Sequence, residues 1–444
     1  MKVLKFGGTS LASANRMKSV LAIVEGQLLT STGGQILVVL SAVAGTTNKL
    51  VSIANHFENT QFKLASEDVA ELKIFYRKFA EELFVDTSNE DKANDFIEET
   101  IQSIDASLNS NSRLTRAEIL SIGELISTQL FHLFLIELNF LNVRLNALDF
   151  LSLDRSGLPN TTLLKERLSQ SLTLHSDVKV FVVQGFICRN IHGEISNLER
   201  GGSDYSASLF AAAIDGEELQ IWTDIDGMHN NDPRYVDGTK TIRNISFDEA
   251  AELAYFGAKI LHPSSIKPAR KSNIPVRLLN TLQPEALGTL ISKKSERKLV
   301  KAVAAKDGIT AIKIRSSEML EAQGFLRKIF EVFEDNKTSI DMITTSEVAV
   351  SVTIDNVEHL SNIVNELSSF SQVDVDNDLS IICVVGEYLI ENKDVVSQVT
   401  YSLKSIPVRM ISYGGSPHNI SLLVPSENKI DALNLLQQGL FSET

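Results

Sequence analysis

Apolar and polar positions follow two different periods over the first 290 or so residues. Short β-branched runs bounded by turn residues predict strands: the apolar stretch leading into Lys5, then Ile36 to Leu40, Val143 to Ala147, Lys179 to Gln184, Gln220 to Thr223 and Val276 to Leu279. Between them, Met17, Val20, Leu21, Val24 and Leu28 recur at helical spacing. Thr115-Arg116-Ala117-Glu118 and Ser246-Phe247-Asp248-Glu249 read as capping boxes that open helices. Such alternation predicts an α/β domain over residues 1–292, with a mostly parallel sheet, helices on both faces and ligands beyond the carboxyl ends of the strands. Lys5, Ser41, Thr223 and Asp224 stand at such ends. Residues 57–113 are charged and helix-prone, and read as a peripheral helical insertion ending in a mobile loop at Asn109 to Ser112, without catalytic groups.

After the last of these strands the pattern changes. Residues 293–308 open with a polar, mostly basic hinge, Lys293 to Lys298. A weak repeat follows: Ile340-Asp341-Met342-Ile343 returns as Val408-Arg409-Met410-Ile411, and Val350 to Ile354 returns as Ile420 to Val424. Each copy reads strand, helix, strand, strand, predicting two small α+β domains at 309–378 and 379–444.

Two glycine-rich turns carry the candidate chemistry. In Lys5-Phe6-Gly7-Gly8-Thr9-Ser10 a strand delivers a lysine to two glycines and two hydroxyls, which suits close approach of backbone N–H groups to a phosphate. The lysine precedes the glycines, so this is not the GxxxxGK[ST] loop, and a tight turn beside a solvated lysine fits the same residues. In Glu199-Arg200-Gly201-Gly202-Ser203-Asp204 an arginine suited to bidentate carboxylate binding and an acid flank a diglycine at a helix start, where Ser203 is placed to cap the first turn. Glu124 lies among Ile119, Leu120, Ile122, Leu125 and Ile126, where an unpaired carboxylate is costly and an exposed helix turn is the alternative reading.

Composition narrows the partners. The chain has 444 residues, 43% of them apolar, and 42 basic against 56 acidic residues, a net charge of −14 that disfavours nucleic acid and anionic membranes. The most apolar stretch, Leu130 to Leu145, is interrupted by polar residues, which argues against a membrane span. Cys188 and Cys383 sit in apolar runs and read as buried thiols in a reducing compartment. The N-terminus lacks a secretion signal, so a cytoplasmic location is expected.

The two glycine turns, together with Ser41 to Asn48, Gly123-Glu124, Trp222-Thr223-Asp224, Asp232-Pro233-Arg234 and Phe256-Gly257-Ala258-Lys259, resemble in order the motifs of the aspartokinases of the amino-acid kinase superfamily, across essentially the whole chain. The resemblance implies a three-layer kinase fold followed by two ACT-like sensor domains, the second completed by a strand from residues 300–308. It implies transfer of the γ-phosphoryl of ATP to the β-carboxylate of L-aspartate with Mg2+, without a metal held directly by protein ligands. Catalytic roles fall to Lys5, Asp204 and Lys259. Substrate contacts fall to Ser41, Thr47, Glu124, Arg200, Gly201, Gly202 and Ser203, with Glu124 on the α-ammonium. Nucleotide contacts fall to Lys5, Gly7, Gly8, Ser10, Thr223, Asp224, His229, Arg234 and Lys259, although the family usually has tyrosine where this chain has His229. Read without the family, Lys259 is helix surface charge and His229 a solvated loop residue. The run Ile343 to Val348 is similar to lysine-sensitive members. That likeness implies an effector site for L-lysine at Met319, Gly324, Phe325, Leu326, Ser339, Ile340, Asp341, Thr345, Ser346 and Glu347. A homodimer or higher homo-oligomer through the ACT-like domains is expected, and, with no dinucleotide fingerprint after residue 300, a monofunctional enzyme. Glutamate, acetylglutamate or carbamate as acceptor, and a silent amino-acid sensor, are the competing readings.

Overall fold

The computed structural model describes residues 1–108, 114–198, 201–257, 261–294, 298–316 and 324–441. They divide into two units, Met1–Gly227 with Leu261–Ser295, and Met228–Ile260 with Glu296–Thr444.

The first unit opens with β1 (Lys2–Phe6), α1 (Ala14–Thr30), β2 (Ile36–Leu40), α2 (Thr46–Glu58), α3 (Phe62–Leu83), α4 (Thr87–Leu108) and α5 (Arg116–Glu137). It continues through β3 (Asn142–Arg144), α6 (Thr161–Leu174), β4 (Val180–Gln184), β5 (Ile187–Arg189), β6 (Ile195–Asn197), α7 (Gly202–Ala213) and β7 (Leu219–Thr223). After β8 (Asn244–Ser246) and α8 (Phe247–Tyr255), which belong to the second unit, it closes with α9 (Lys267–Lys271), β9 (Val276–Asn280) and β10 (Thr289–Ser292). Its sheet runs β3-β4-β2-β1-β7-β9-β10, parallel as far as β9 and antiparallel at β10. Strands β2 and β4 are buried at every position, as central parallel strands covered on both faces must be. The parallel register sets Phe6 beside Leu40 and Trp222, and Leu40 beside Gln184, so the exits of β1, β2, β4 and β7 share one sheet edge.

Two expectations change here. The strand expected at Val143 to Ala147 stops at Arg144; Ala147 turns into a short 3-10 segment because its N–H is taken by the buried Gln184 side chain at 2.9 Å. The insertion is not peripheral: Ala65, Val69, Leu72, Tyr76, Phe79 and Leu83 make a buried stripe on α3 that joins the main core with Leu50, Ile53 and Ile122. The loop expected after it falls on residues 109–113, outside the described residues. Among the described residues α5 alone is long and apolar enough to cross a membrane by length and composition, and 72% of its most apolar window is buried inside the protein. Both capping boxes form, at Thr115/Glu118 and Ser246/Glu249. Cys188 and Cys383 are free and buried.

The second unit contains β8 and α8, then β11 (Ala302–Arg315), α10 (Phe325–Asp335), β12 (Ile343–Thr345), β13 (Ala349–Ile354), α11 (Leu360–Ser368), β14 (Gln372–Val385), α12 (Val395–Ser402), β15 (Met410–Tyr413), β16 (Asn419–Pro425) and α13 (Lys429–Phe441). One antiparallel sheet, β12-β13-β11-β14-β16-β15, serves both repeats. Its two central strands are 14 residues each: 309–315 of β11 pairs with 372–379 of β14, and 302–306 with 381–385, with a register shift between Lys306 and Ile309 where Gly308 takes φ +74°. Residues 302–306 therefore do supply a strand to the second lobe. Each lobe has its own apolar core, and each gains a helix that the strand-helix-strand-strand reading lacked, α11 and α13. Residues 228–260 group with this unit.

Candidate active site

The two diglycine turns meet. Lys5, next to last in β1, reaches Asp204, in the first turn of α7, with Nζ 2.6 Å from Oδ1 and 12% and 19% of the two side chains exposed. Glycine is required for this approach at two points. A Cβ on Gly8 would stand 2.9 Å from the Ala42 carbonyl, and one on Gly201, which sits at φ +74°, only 1.8 Å from Ser265 Oγ. Gly201 itself is the N-cap of α7, in the left-handed conformation and without a side-chain cap. Ser203 is therefore not the cap: it is buried within the first turn, pressed against Gly185 at the end of β4.

Some of the expected phosphate donors are committed elsewhere. The Gly7 N–H donates to the Trp222 carbonyl at 3.2 Å and the Ser10 N–H to the Gly7 carbonyl at 3.0 Å. Ser10 is 2% exposed, and its hydroxyl is 2.6 Å from Thr281 Oγ1 and 3.3 Å from the Trp222 carbonyl. The 3-10 turn Gly8–Leu11 rotates it inward, so Ser10 ties β1 to β7 and β9 rather than facing solvent. Thr281 is a residue the sequence reading missed, although it follows the end of β9 on the same sheet edge. At the exit of β7 the Thr223 hydroxyl donates to Asp224 Oδ1 at 3.1 Å, and Asp224 is exposed.

A buried carboxyl on α5 feels the Lys5 charge. Gly123 lets α5 close on the β2 exit, since a Cβ there would lie 2.6 Å from Ala42 Cβ. The next residue, Glu124, is 4% exposed. Burial pushes its carboxyl up to about 8, opposed by the Ala42 N–H, its own N–H and the Lys5 charge. Ser127, one turn on, donates to the Ser41 carbonyl at 2.8 Å and holds that loop. Thr46 Oγ1 is 3.0 Å from the fully buried Tyr76 hydroxyl of α3, so the insertion supports the first turn of α2, which presents the exposed Thr47. Tyr76 carried no signal in the sequence beyond its place in a helical stripe. No group of three or more His, Cys, Asp or Glu gathers to hold a metal among the described residues.

Arg200, Lys259 and Met319 lie outside the described residues. His229 and Arg234 belong to the second unit. There His229 Nδ1 is 3.1 Å from Thr239 Oγ1, and Arg234 grips Asp232 through Nε at 2.9 Å and Nη2 at 2.6 Å while lying over the Tyr235 ring. Of the expected effector residues, Gly324 caps α10 at φ +93°, Phe325 is core, and Leu326, Ser339, Thr345, Ser346 and Glu347 are exposed. Ile340 is half-buried, and the Asp341 side chain is 1% exposed and already paired, with Lys306 Nζ and the Tyr255 hydroxyl both 2.7 Å from Oδ1.

A parallel sheet whose strand exits gather a lysine, an aspartate and a glutamate around two diglycine turns has the makings of a phosphotransferase for small carboxylates. The chain belongs to the amino acid kinase family, which it matches over residues 1–280, with ACT domain matches at 312–360 and 382–440. Within that family its full-length relatives are aspartokinases. Lysine-sensitive aspartokinase 3 of Escherichia coli is 34% identical over 99% of both chains. The structure of E. coli aspartokinase III in complex with aspartate and ADP, described as its R-state, superimposes with a TM-score of 0.83 at 33% identity over 100% of both chains. The same enzyme in complex with lysine and aspartate, described as its T-state, gives 0.81 at 33% identity, again over 100% of both chains.

Proposed function

We propose that this protein is an aspartate kinase that transfers the γ-phosphoryl of ATP to the β-carboxylate of L-aspartate, giving 4-phospho-L-aspartate and ADP. The observation that carries this reading is the 2.6 Å pairing of Lys5 with Asp204 across the two diglycine turns, with the buried Glu124 beside it. The likeness to an enzyme solved with aspartate and ADP supports it.

A β-carboxylate is ionised at neutral pH, so its oxygen attacks the γ-phosphorus without loss of a proton, the bond to the bridging oxygen breaks, and ADP leaves. The protein has little covalent chemistry to do; it must align the reactants and neutralise charge. Lys5 supplies a cation at the phosphates, and Asp204 holds that cation in place rather than acting as a base. Glu124, once ionised, receives the α-ammonium of the substrate, and Ser41 and Thr47 flank it. Asp204 is engaged by Lys5, so magnesium fits this site as part of the nucleotide complex. When bound, it neutralises the phosphate oxygens.

Coupled ADP release with aspartate, glutamate, acetylglutamate and carbamate tests the acceptor. Turnover with aspartate alone is expected; a preference for any other acceptor changes the substrate, and no turnover with any leaves only an amino-acid sensor. L-lysine is the proposed effector at the Asp341 region, supported by the lysine complex of the E. coli enzyme. A calorimetric isotherm without heat at millimolar L-lysine would remove the effector and leave the kinase reading standing.

A further inference from the structure

Gln184 closes β4 after four apolar residues, Val180 to Val183, and like them it is fully buried. A buried carboxamide costs free energy unless both of its ends are bonded. Here both are. Oε1 accepts from the Ala147 N–H at 2.9 Å, and Nε2 donates to Thr128 Oγ1 at 3.0 Å. A backbone N–H can only donate, so it fixes which end of the carboxamide faces it, and the NH2 end can only donate, so Thr128 Oγ1 accepts. The one hydroxyl hydrogen of Thr128, itself fully buried, is left for α5: the Glu124 carbonyl lies at 2.8 Å and the Leu125 carbonyl at 3.1 Å. A polar chain with a single possible direction thus runs from the turn after β3, through the end of β4, to the helix turn that carries Glu124.

The Ala147 N–H accounts for one end of this chain. The other end answers no such need: the Glu124 carbonyl lies within α5, whose ladder already supplies its donor, and valine has nearly the shape of threonine with no hydroxyl to desolvate. What the chain adds is position. The Glu124 turn is held on its β2 side by Gly123 against Ala42 and by Ser127 on the Ser41 carbonyl, and on its β4 side by Thr128 and Gln184. Hydrogen bonds impose a direction and a distance that apolar contacts do not. Lys5 of β1 and Tyr76 of α3 are the titratable groups whose charges couple to Glu124, and neither belongs to the chain.

We propose that Gln184 and Thr128 are positioning residues that hold the Glu124 turn of α5 in its buried place and so set where the ammonium of the acceptor sits. The inference rests on the kinase reading above, in which Glu124 receives that ammonium. Without the chain the turn shifts and water reaches the carboxyl. The ammonium then meets Glu124 at a poorer distance and angle, whereas Lys5 and Asp204, on the phosphate side, keep their own pairing.

The test is steady-state kinetics and urea unfolding across pH on the full chain carrying Thr128→Val, Thr128→Ser, Gln184→Leu, or Thr128→Val and Gln184→Leu together. Thr128→Val and Gln184→Leu should each raise the KM for aspartate about fivefold, the loss of one hydrogen bond, and leave the KM for ATP at the parental value. The double variant should be no worse than the worse single one, because the chain fails as a unit, and Thr128→Ser, which keeps the hydroxyl, should behave like the parent. In urea, the loss of stability between about pH 5 and 8 that follows from the raised Glu124 carboxyl should shrink in Thr128→Val, since a hydrated carboxyl titrates nearer its ordinary value. A parental aspartate KM in Thr128→Val would overturn the proposal, as would an equal rise in both KM values, additive losses in the double variant, or a Thr128→Ser no better than Thr128→Val. If Gln184→Leu does not fold, Thr128→Val against Thr128→Ser decides. If the parent itself shows no turnover with aspartate, the kinase reading fails by that measurement alone. The urea series then decides: a shallower pH dependence in Thr128→Val upholds the positioning role and a parental one overturns it.

Discussion

Lys5 and Glu124, coupled through their charges in the first unit, carry opposite demands. In the proposed mechanism Lys5 is charged at the phosphates, and its pairing with Asp204 fixes its position. Replacing Lys5 by alanine should lower kcat about 10²–10³-fold, read by coupled ADP release, with little change in the KM for aspartate. In the same mechanism Glu124 works ionised, whereas burial raises its carboxyl to about 8. The kcat/KM for aspartate should therefore climb about tenfold per pH unit below 8 and level off above it, and Glu124→Gln should abolish that limb and raise the aspartate KM roughly 10–150-fold. Stability runs the other way. The folded-state pKa is raised above the unfolded value, so the folded state binds more protons between about pH 4.5 and 8 and stability falls as pH rises through that window. A denaturant series across pH should show Glu124→Gln gaining on the parent toward pH 8.

At the scale of elements, the turn before α7 depends on backbone that only glycine adopts without strain. Gly201→Ala adds a Cβ in the left-handed region against Ser265 and should cost about 1–3 kcal/mol of stability and most of the activity, measured by urea midpoint and turnover. Tyr76→Phe removes one hydroxyl bond to Thr46 and should cost about 1 kcal/mol while raising the aspartate KM, since the helix turn it supports carries Thr47. These elements were unequally legible. The β1 lysine, the diglycines and Glu124 could be read because glycine pairs and a carboxylate in an apolar helix break the local pattern. Ser10 and Ser203 were misread for one reason: a hydroxyl suits a ligand, a cap or a core bond equally, and only the turn direction decides. Tyr76 and Thr281 meet Thr46 and Ser10 across 30 and 271 residues, a pairing no local period encodes. The long strand β11 was read as two shorter pieces because the polar stretch near Lys306 to Gly308 looks like a break, and of β14 only the half that opens the second repeat was read, because Asp374 to Asp378 looks like a loop.

At the scale of the whole molecule, β12 and β15 are the outer strands of the second unit's sheet, each bonded to one neighbour within the chain. Outer strands with unused backbone groups favour association. Sedimentation should give a particle of at least two 48.9 kDa chains; a monomer with and without lysine would exclude association through this sheet. The continuity of β11 and β14 through both lobes has a consequence for engineering. A cut near residue 379 or 308 severs a strand that both sensors share, so neither can be excised or exchanged as a free-standing cassette. Grafting a new effector preference onto this enzyme calls for transplanting the pair together.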